Sequence, residues 1–222
     1  MNNLTLLIPA KEESGSLPIV LKELEKYDLN ILISMDQGDV DTYEITKKFN
    51  CEVLFQKNLG YGSALIEGIN KINTKYLCIF NADGSFNPIE LENMYRKLET
   101  NNFVFGSRYN KDASSDDDTL LTFIGNKFFS LFGQIFYKLK INDILYTFIM
   151  GETEKFKEIA LKEKDFKICV EMPINIELRK FNYTTNSSHE RARLKGRKKV
   201  NEFKDGFLIL ICLIKNLLKK PI

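Results

Sequence analysis

Over the first hundred residues, short apolar runs alternate with stretches whose apolar residues recur at helical spacing. The runs 4–8, 31–35, 51–55, 76–80 and 103–105 are bounded by polar residues, the pattern of strands buried within a sheet. Leu17, Val20, Leu21, Leu24 and Tyr27 mark one intervening helix, and Leu65, Ile69 and Ile72 a second. A third is expected to start at Asn87 as N-cap, with Pro88 at its first position and Glu90 closing back in a capping box. Leu91, Met94, Tyr95 and Leu98 supply its buried face. Strands that alternate with helices need crossover connections, which restricts the chain to an α/β fold with a mostly parallel sheet flanked by helices.

In open sheets of this kind, ligands bind beyond the C-terminal edge of the strands. The run 76–80 ends there in Asn81-Ala82-Asp83-Gly84-Ser85. A carboxylate in that position can hold a divalent cation against a diphosphate, although Asp-Gly is also a common turn pair.

Composition removes other function classes. A net charge of +2 over 222 residues is too small for a dedicated nucleic-acid binder, so no nucleic-acid partner is expected. Cys51, Cys78, Cys169 and Cys212 are scattered without CxxC spacing, as reduced thiols are, rather than zinc ligands or disulfides. The chain passes from Met1-Asn2-Asn3 straight into the first apolar run, so no signal peptide is expected. No apolar run approaches the ~20 residues that span a bilayer. These features predict a cytoplasmic protein.

Several segments then share a pattern. IPAKEESGSL at 8–17, NLGYGSALIEGI at 58–69, NADGS before Pro88, and Gly106-Ser107-Arg108 resemble, in order, the opening loop, glycine segment, D-x-D element and G-S-R of family-2 glycosyltransferases of the GT-A fold. GNKFFSLFGQIFYKLKIND at 125–143, and Arg193 to Lys199 with Gly196 between them, are similar to the subgroup that glycosylates polyprenyl (dolichyl) phosphates. The resemblance implies a Rossmann-like GT-A domain over 1–202, followed by an apolar and basic amphipathic helix over 203–222.

It also implies residue roles. Pro9, Ala10, Glu13, Asp36, Gly60, Gly62, Asn81, Ala82 and Asp83 would bind the nucleotide-sugar, a GDP- or UDP-sugar. Carboxylates such as Glu13 and Asp36 accept hydrogen bonds from base and ribose, but the same residues also start turns and caps. The glycines would let a ligand approach the backbone, with the N-terminus of the following helix turned toward it. Asp83 would hold Mg2+ or Mn2+, with Asn81 and Ser85 as neutral oxygen donors. Arg108, Arg193 and Lys199 would bind phosphates. Catalysis would rest on Asp83, Arg108 and Asp143.

The acceptor decides the chemistry. A polyprenyl phosphate is already an anion, so the enzyme would position it and stabilise the leaving diphosphate in one inverting displacement. A hydroxyl acceptor would need a base, for which Asp143 and Glu171 are candidates. Alternatives are a transferase acting on a saccharide hydroxyl, or a catalytically weakened nucleotide-binding module. The latter is suggested by Asn81 where the family has aspartate and Ile149 where it has arginine. Two segments suit a bilayer interface. In 119–139, Leu120, Ile124, Phe128, Leu131, Ile135 and Leu139 form one helical stripe; 203–218 is nearly apolar between Phe207 and Ile214 and is followed by Lys215, Lys219 and Lys220. A core helix or dimer face would read the same way. The expectation is peripheral attachment at the inner face of the membrane, to an anionic surface. The loop 111–118 has little to bury and is expected to be mobile.

Overall fold

A computed structural model describes residues 1, 3–195 and 202–217. The first half alternates as expected: β1 (Leu4–Ala10), α1 (Leu17–Leu24), β2 (Asn30–Met35), α2 (Val40–Thr46), β3 (Glu52–Phe55), α3 (Tyr61–Lys71), β4 (Tyr76–Ile79), α4 (Leu91–Lys97) and β5 (Phe103–Ser107). There follow β6 (Ser114–Ser115), α5 (Leu120–Tyr137), β7 (Ile149–Glu152), α6 (Thr153–Glu158), α7 (Ile168–Leu178), β8 (Tyr183–Ser187), β9 (His189–Glu190) and α8 (Glu202–Leu217).

Seven strands form one sheet in the order β3-β2-β1-β4-β7-β5-β8. All neighbours are parallel except β7, which runs antiparallel between β4 and β5. The fold is therefore α/β with a mostly parallel sheet. Alternation along β1 divides the core: Leu4, Leu6 and Ile8 pack with α1 and α4, whereas Leu7 faces Leu65 and Ile69 of α3. β6 and β9 form a separate two-residue pairing, Ser114↔His189 and Ser115↔Glu190.

Two local expectations are corrected. Asn87 does cap, its Oδ1 accepting from Ile89 N at 3.2 Å, but Pro88–Glu90 is a 3-10 turn and the capping box is absent. Glu90 instead accepts Ser188 Oγ at 2.5 Å and His189 N at 2.8 Å, tying the start of α4 to the β8–β9 connection. The loop 111–118 is pinned rather than free: β6 pairs with β9, and Asp118 accepts Tyr109 OH at 2.5 Å.

For α5 the structure excludes only the core-helix alternative. Its expected apolar stripe is turned outward: Leu120, Ile124, Phe128, Leu131 and Ile135 are each more than half exposed, and only Leu139 beyond the helix is buried. The buried face is Asn126, Phe129, Ser130, Gly133 and Tyr137. Polar atoms on that face hold the next loop, Asn126 Oδ1 accepting Leu145 N and Ser130 Oγ accepting Ile144 N. α8 lies beside it; Ile209, Cys212 and Leu213 enter the main core, while Phe203 and Phe207 stay exposed.

Candidate active site

The C-terminal ends of β1, β2, β3 and β4 open into a cleft of about 630 Å³, within the range of small-molecule sites. It gathers most of the residues expected from sequence: Pro9, Ala10, Glu13, Asp36, Gly60, Asn81, Ala82, Asp83, Arg108 and Arg193. Gly62, Ser85 and Asp143 stand behind its wall, and Lys199 lies outside the described residues.

Glu13 is buried and closes the loop after β1, its Oε2 accepting Ser16 Oγ at 2.5 Å and its backbone N donating to Thr42 Oγ1 at 3.0 Å. Asp36 receives Gly38 N at 2.9 Å, so it shapes a turn as well as lining the cleft. The glycine segment serves differently from expectation. Ser63 N, in the first turn of α3, already donates to Lys164 O at 3.1 Å. A Cβ on Gly62 would lie 2.1 Å from Glu163 O and 2.9 Å from Asp165 O, and one on Gly60, at φ +120°, 2.3 Å from Lys164 O. The close approach is made by the 163–166 loop, which brings Asp165 and Phe166 into the cleft and stacks Phe166 on Tyr61 at 5.0 Å. Gly62→Ala is thus expected to displace this loop, costing about 1–3 kcal/mol by overpacking. Urea unfolding checks it; unchanged stability would mean the loop moves freely.

Asp83 sits 7% exposed at the cleft wall. Its Oδ1 accepts Ser85 N at 3.0 Å and Ser85 Oγ at 2.7 Å; its Oδ2 accepts Arg193 Nη1 at 3.0 Å. Ser85 is buried and orients Asp83 from behind rather than facing the cleft. Asn81 Nδ2 donates to Ser85 Oγ at 3.2 Å, which fixes the amide by its nitrogen and leaves its oxygen for another role. A hard cation fits this oxygen set if the substrate supplies further ligands, as Mg2+ sites on phosphates commonly arrange. Among the described residues no cluster of three or more His, Cys, Asp or Glu forms a self-sufficient metal site.

Arg108 is clamped between two buried carboxylates. Its backbone N and Nε each donate to Asp143 Oδ2 at 2.9 Å, Nη2 to Asp143 Oδ1 at 2.8 Å, and Nη1 to Glu190 Oε2 at 3.0 Å. Burial disfavours the charged guanidinium, but the two carboxylates outweigh it and hold its pKa well above the usual arginine value. Asp143 is 2% exposed and also accepts Asn126 Nδ2, so it has no face for a substrate. It positions Arg108 and does not reach the cleft. Glu171, the other candidate base, accepts the backbone N–H groups of Lys162 and Glu163 and so holds the 160s loop.

Sequence reasoning missed several lining residues. Gln56 follows β3 as Asp36 follows β2, so strand-end logic reaches it. Glu190, Lys204, Asp205 and Ile209 had no such signal, because β9 and α8 carry them in from remote segments. Burial raises the Glu190 pKa, against the opposing pull of Arg108. Cys169 also lines the cleft, but burial pushes its thiol up to about 12, so it is protonated at neutral pH and no nucleophile. The lining carries six carboxylates against four cationic side chains. A diphosphate entering this cleft therefore benefits from added positive charge.

Residues 5–160 match the sequence profile of glycosyl transferase family 2. The chain belongs to that family. Uncharacterized glycosyltransferases of Mycobacterium tuberculosis and Mycobacterium bovis are 26% identical to it over 95 residues, an alignment spanning 43% of this chain and 43% of each relative. Glucosyl-3-phosphoglycerate synthase from M. tuberculosis, solved with Mn2+, UDP-glucose and phosphoglyceric acid, superposes with a TM-score of 0.76 at 10% identity, covering 98% of this chain and 80% of that one. Mannosyl-3-phosphoglycerate synthase from Rubrobacter xylanophilus gives 0.71 at 14% identity, covering 97% and 73%. As a family 2 glycosyltransferase, this chain carries the GT-A architecture, with its cleft at the sheet edge expected from sequence.

Proposed function

We propose that this glycosyltransferase moves a sugar from a GDP- or UDP-sugar to a polyprenyl phosphate at the cytoplasmic face of a membrane, with inversion. The observation that carries the acceptor is the outward apolar surface of α5 and α8. Leu120 is 75% exposed and Phe203 78%, with Ile124, Phe128, Leu131, Ile135 and Phe207 also exposed. Patches of this kind mark interaction surfaces. α8 also lends Lys204, Asp205 and Ile209 to the cleft, so an acceptor head in the cleft could keep its apolar tail on the same side. Among the described residues no helix is long and apolar enough to cross a membrane, which fits attachment by partial insertion.

Pro9, Ala10, Glu13, Asp36 and Gly60 would hold the nucleoside, and Asp83 with Asn81 would hold Mg2+ or Mn2+, with Ser85 fixing Asp83 from behind. Such an ion neutralises charge on the departing diphosphate. Arg193, and Lys199 by resemblance, would bind the phosphates. Arg108, its charge offset by Asp143 and Glu190, would offer directed N–H donors rather than net charge. A phosphate nucleophile needs no base, which agrees with an Asp143 committed to Arg108. A water-soluble phosphorylated acid is the competing acceptor, supported by the phosphoglyceric acid bound in the M. tuberculosis neighbour.

The test begins with a donor screen by thermal shift in Mn2+, followed by product analysis with a short polyprenyl phosphate and with phosphoglyceric acid. Liposome co-sedimentation should rise with anionic lipid and fall with salt, since each lysine near the surface adds about 1 kcal/mol. Product from phosphoglyceric acid alone, with no binding to anionic liposomes at low salt, would overturn the polyprenyl reading.

A further inference from the structure

We propose that Arg193 occupies the cation position on Asp83 before substrate arrives, and that the donor's diphosphate draws it off, so that metal ion and donor enter as a unit. The inference rests on the nucleotide-sugar reading above. Arg193 Nη1 lies 3.0 Å from Asp83 Oδ2, and Nη2 lies 4.0 Å from Asp117 Oδ2. With Oδ1 taken by Ser85, this pairing occupies the remaining oxygen of the carboxylate nominated for the metal. A divalent cation bound at Asp83 beside an unmoved guanidinium would face strong like-charge repulsion across a few ångströms.

The same geometry favours exchange over permanent blockade. Among the described residues Arg193 Nε is buried without a hydrogen-bond partner, a cost that a phosphate oxygen could relieve. Guanidinium also pairs better with phosphate oxygens, which it can grip in bidentate fashion, than with one carboxylate oxygen. The exchange needs only a side-chain rotation. Arg191 N donates to Ser85 O at 2.8 Å and Leu194 N to Asp83 O at 2.9 Å, so the backbone around Arg193 is pinned to the turn it serves. Arg191 is a strut, its guanidinium bonded to Glu23, Gly84 O and Phe86 O.

Asn81 takes on a meaning in this scheme. Within the 81–85 turn one carboxylate faces the guanidinium, Asp117 approaches its Nη2 at 4.0 Å, and the neutral Asn81 adds no further charge. A second carboxylate would restore a net negative site able to take a metal unaided. Coupling of this kind is reciprocal: whatever factor the nucleotide adds to metal affinity, the metal adds to nucleotide affinity.

The experiment measures Mn2+ binding by the electron paramagnetic resonance of the free ion, alone and with UDP or GDP. Wild type, Arg193→Gln, Arg193→Lys and Asn81→Asp are compared, each checked for folding by thermal melting. In wild type, Mn2+ alone should bind at least tenfold more weakly than with the fitting nucleotide. Arg193→Gln should raise affinity for Mn2+ alone at least tenfold and shrink the nucleotide's enhancement. Arg193→Lys should keep Mn2+ out, because it leaves a cation at Asp83; Asn81→Asp should admit Mn2+ with Arg193 in place. Unchanged or weaker binding of Mn2+ alone in a folded Arg193→Gln would overturn the exchange while leaving the donor reading intact. An equal gain in Arg193→Lys would overturn it too. Wild type that takes no Mn2+ with either nucleotide would end both.

Discussion

Asp83→Ala is expected to abolish Mn2+-dependent nucleotide binding and to lower transfer at least a hundredfold, about 2.7 kcal/mol of transition-state stabilisation. The reason is concentration of function. Asp83 is the one carboxylate in the 81–85 turn, and the neutral oxygens near it cannot hold a hard cation without it. The substitution also leaves Arg193 with only the 4.0 Å approach of Asp117. Because that arginine keeps 20% side-chain exposure, the cost to folding should stay near 1–2 kcal/mol, below that of a fully buried broken pair. Titration calorimetry showing wild-type metal and nucleotide affinity in Asp83→Ala would remove the residue from the site.

Asp143→Ala should act on stability first. Its side chain is 1% exposed and bonds Arg108 through three N–H groups, so removal leaves a buried guanidinium held by Glu190 alone. Breaking one side of a buried pair typically costs about 3–5 kcal/mol, and the surviving Glu190 contact argues for the lower end. At about 2–4 °C per kcal/mol for a chain of this size, Tm should fall by roughly 6–12 °C. Urea unfolding gives the free energy directly. A variant as stable as wild type but inactive would instead return Asp143 to a role as base toward the acceptor.

The parts of this molecule legible in sequence are those built from local pattern. β1, β2, β4 and β5 announce themselves because largely buried strands read as apolar runs, β3 does so although it is a half-exposed edge strand, and the position of Asp83 follows from where such a run ends. β8 is hidden by its composition: Tyr183-Thr184-Thr185-Asn186-Ser187 is polar, and only pairing with β5 at the sheet edge makes it a strand. α2, α6 and α7 were equally unannounced. In α7 the residues 168–174 are buried all round, so no amphipathic period appears. The cleft was half legible. Glu13, Asp36, Asn81 and Asp83 sit at strand ends and were found; Glu190 depends on a two-residue bridge with Ser115, which has no local signature. The roles of Arg193 and Asp83 were each inferred separately, yet their pairing is a long-range fact that neither segment contains. The stripe on α5 was seen, but its direction was not, because Asn126 and Ser130 satisfy loop backbone inside the protein and thereby turn the apolar face out.

The placement of β7 bears on how the chain folds as it is made. β4 and β5 follow one another in sequence but never pair; the strand between them is supplied only at Ile149–Glu152, after α5. Until that stretch leaves the ribosome, β4 has one edge of unpaired N–H and C=O groups and β5, whose other neighbour β8 is made later still, has two, the kind of edge that recruits wrong partners. At about 5–20 residues per second the wait after β5 lasts a few seconds, long beside the time for local collapse. Slowing translation between codons 108 and 148 should therefore lower soluble yield more than slowing it after codon 190, when the central sheet has closed.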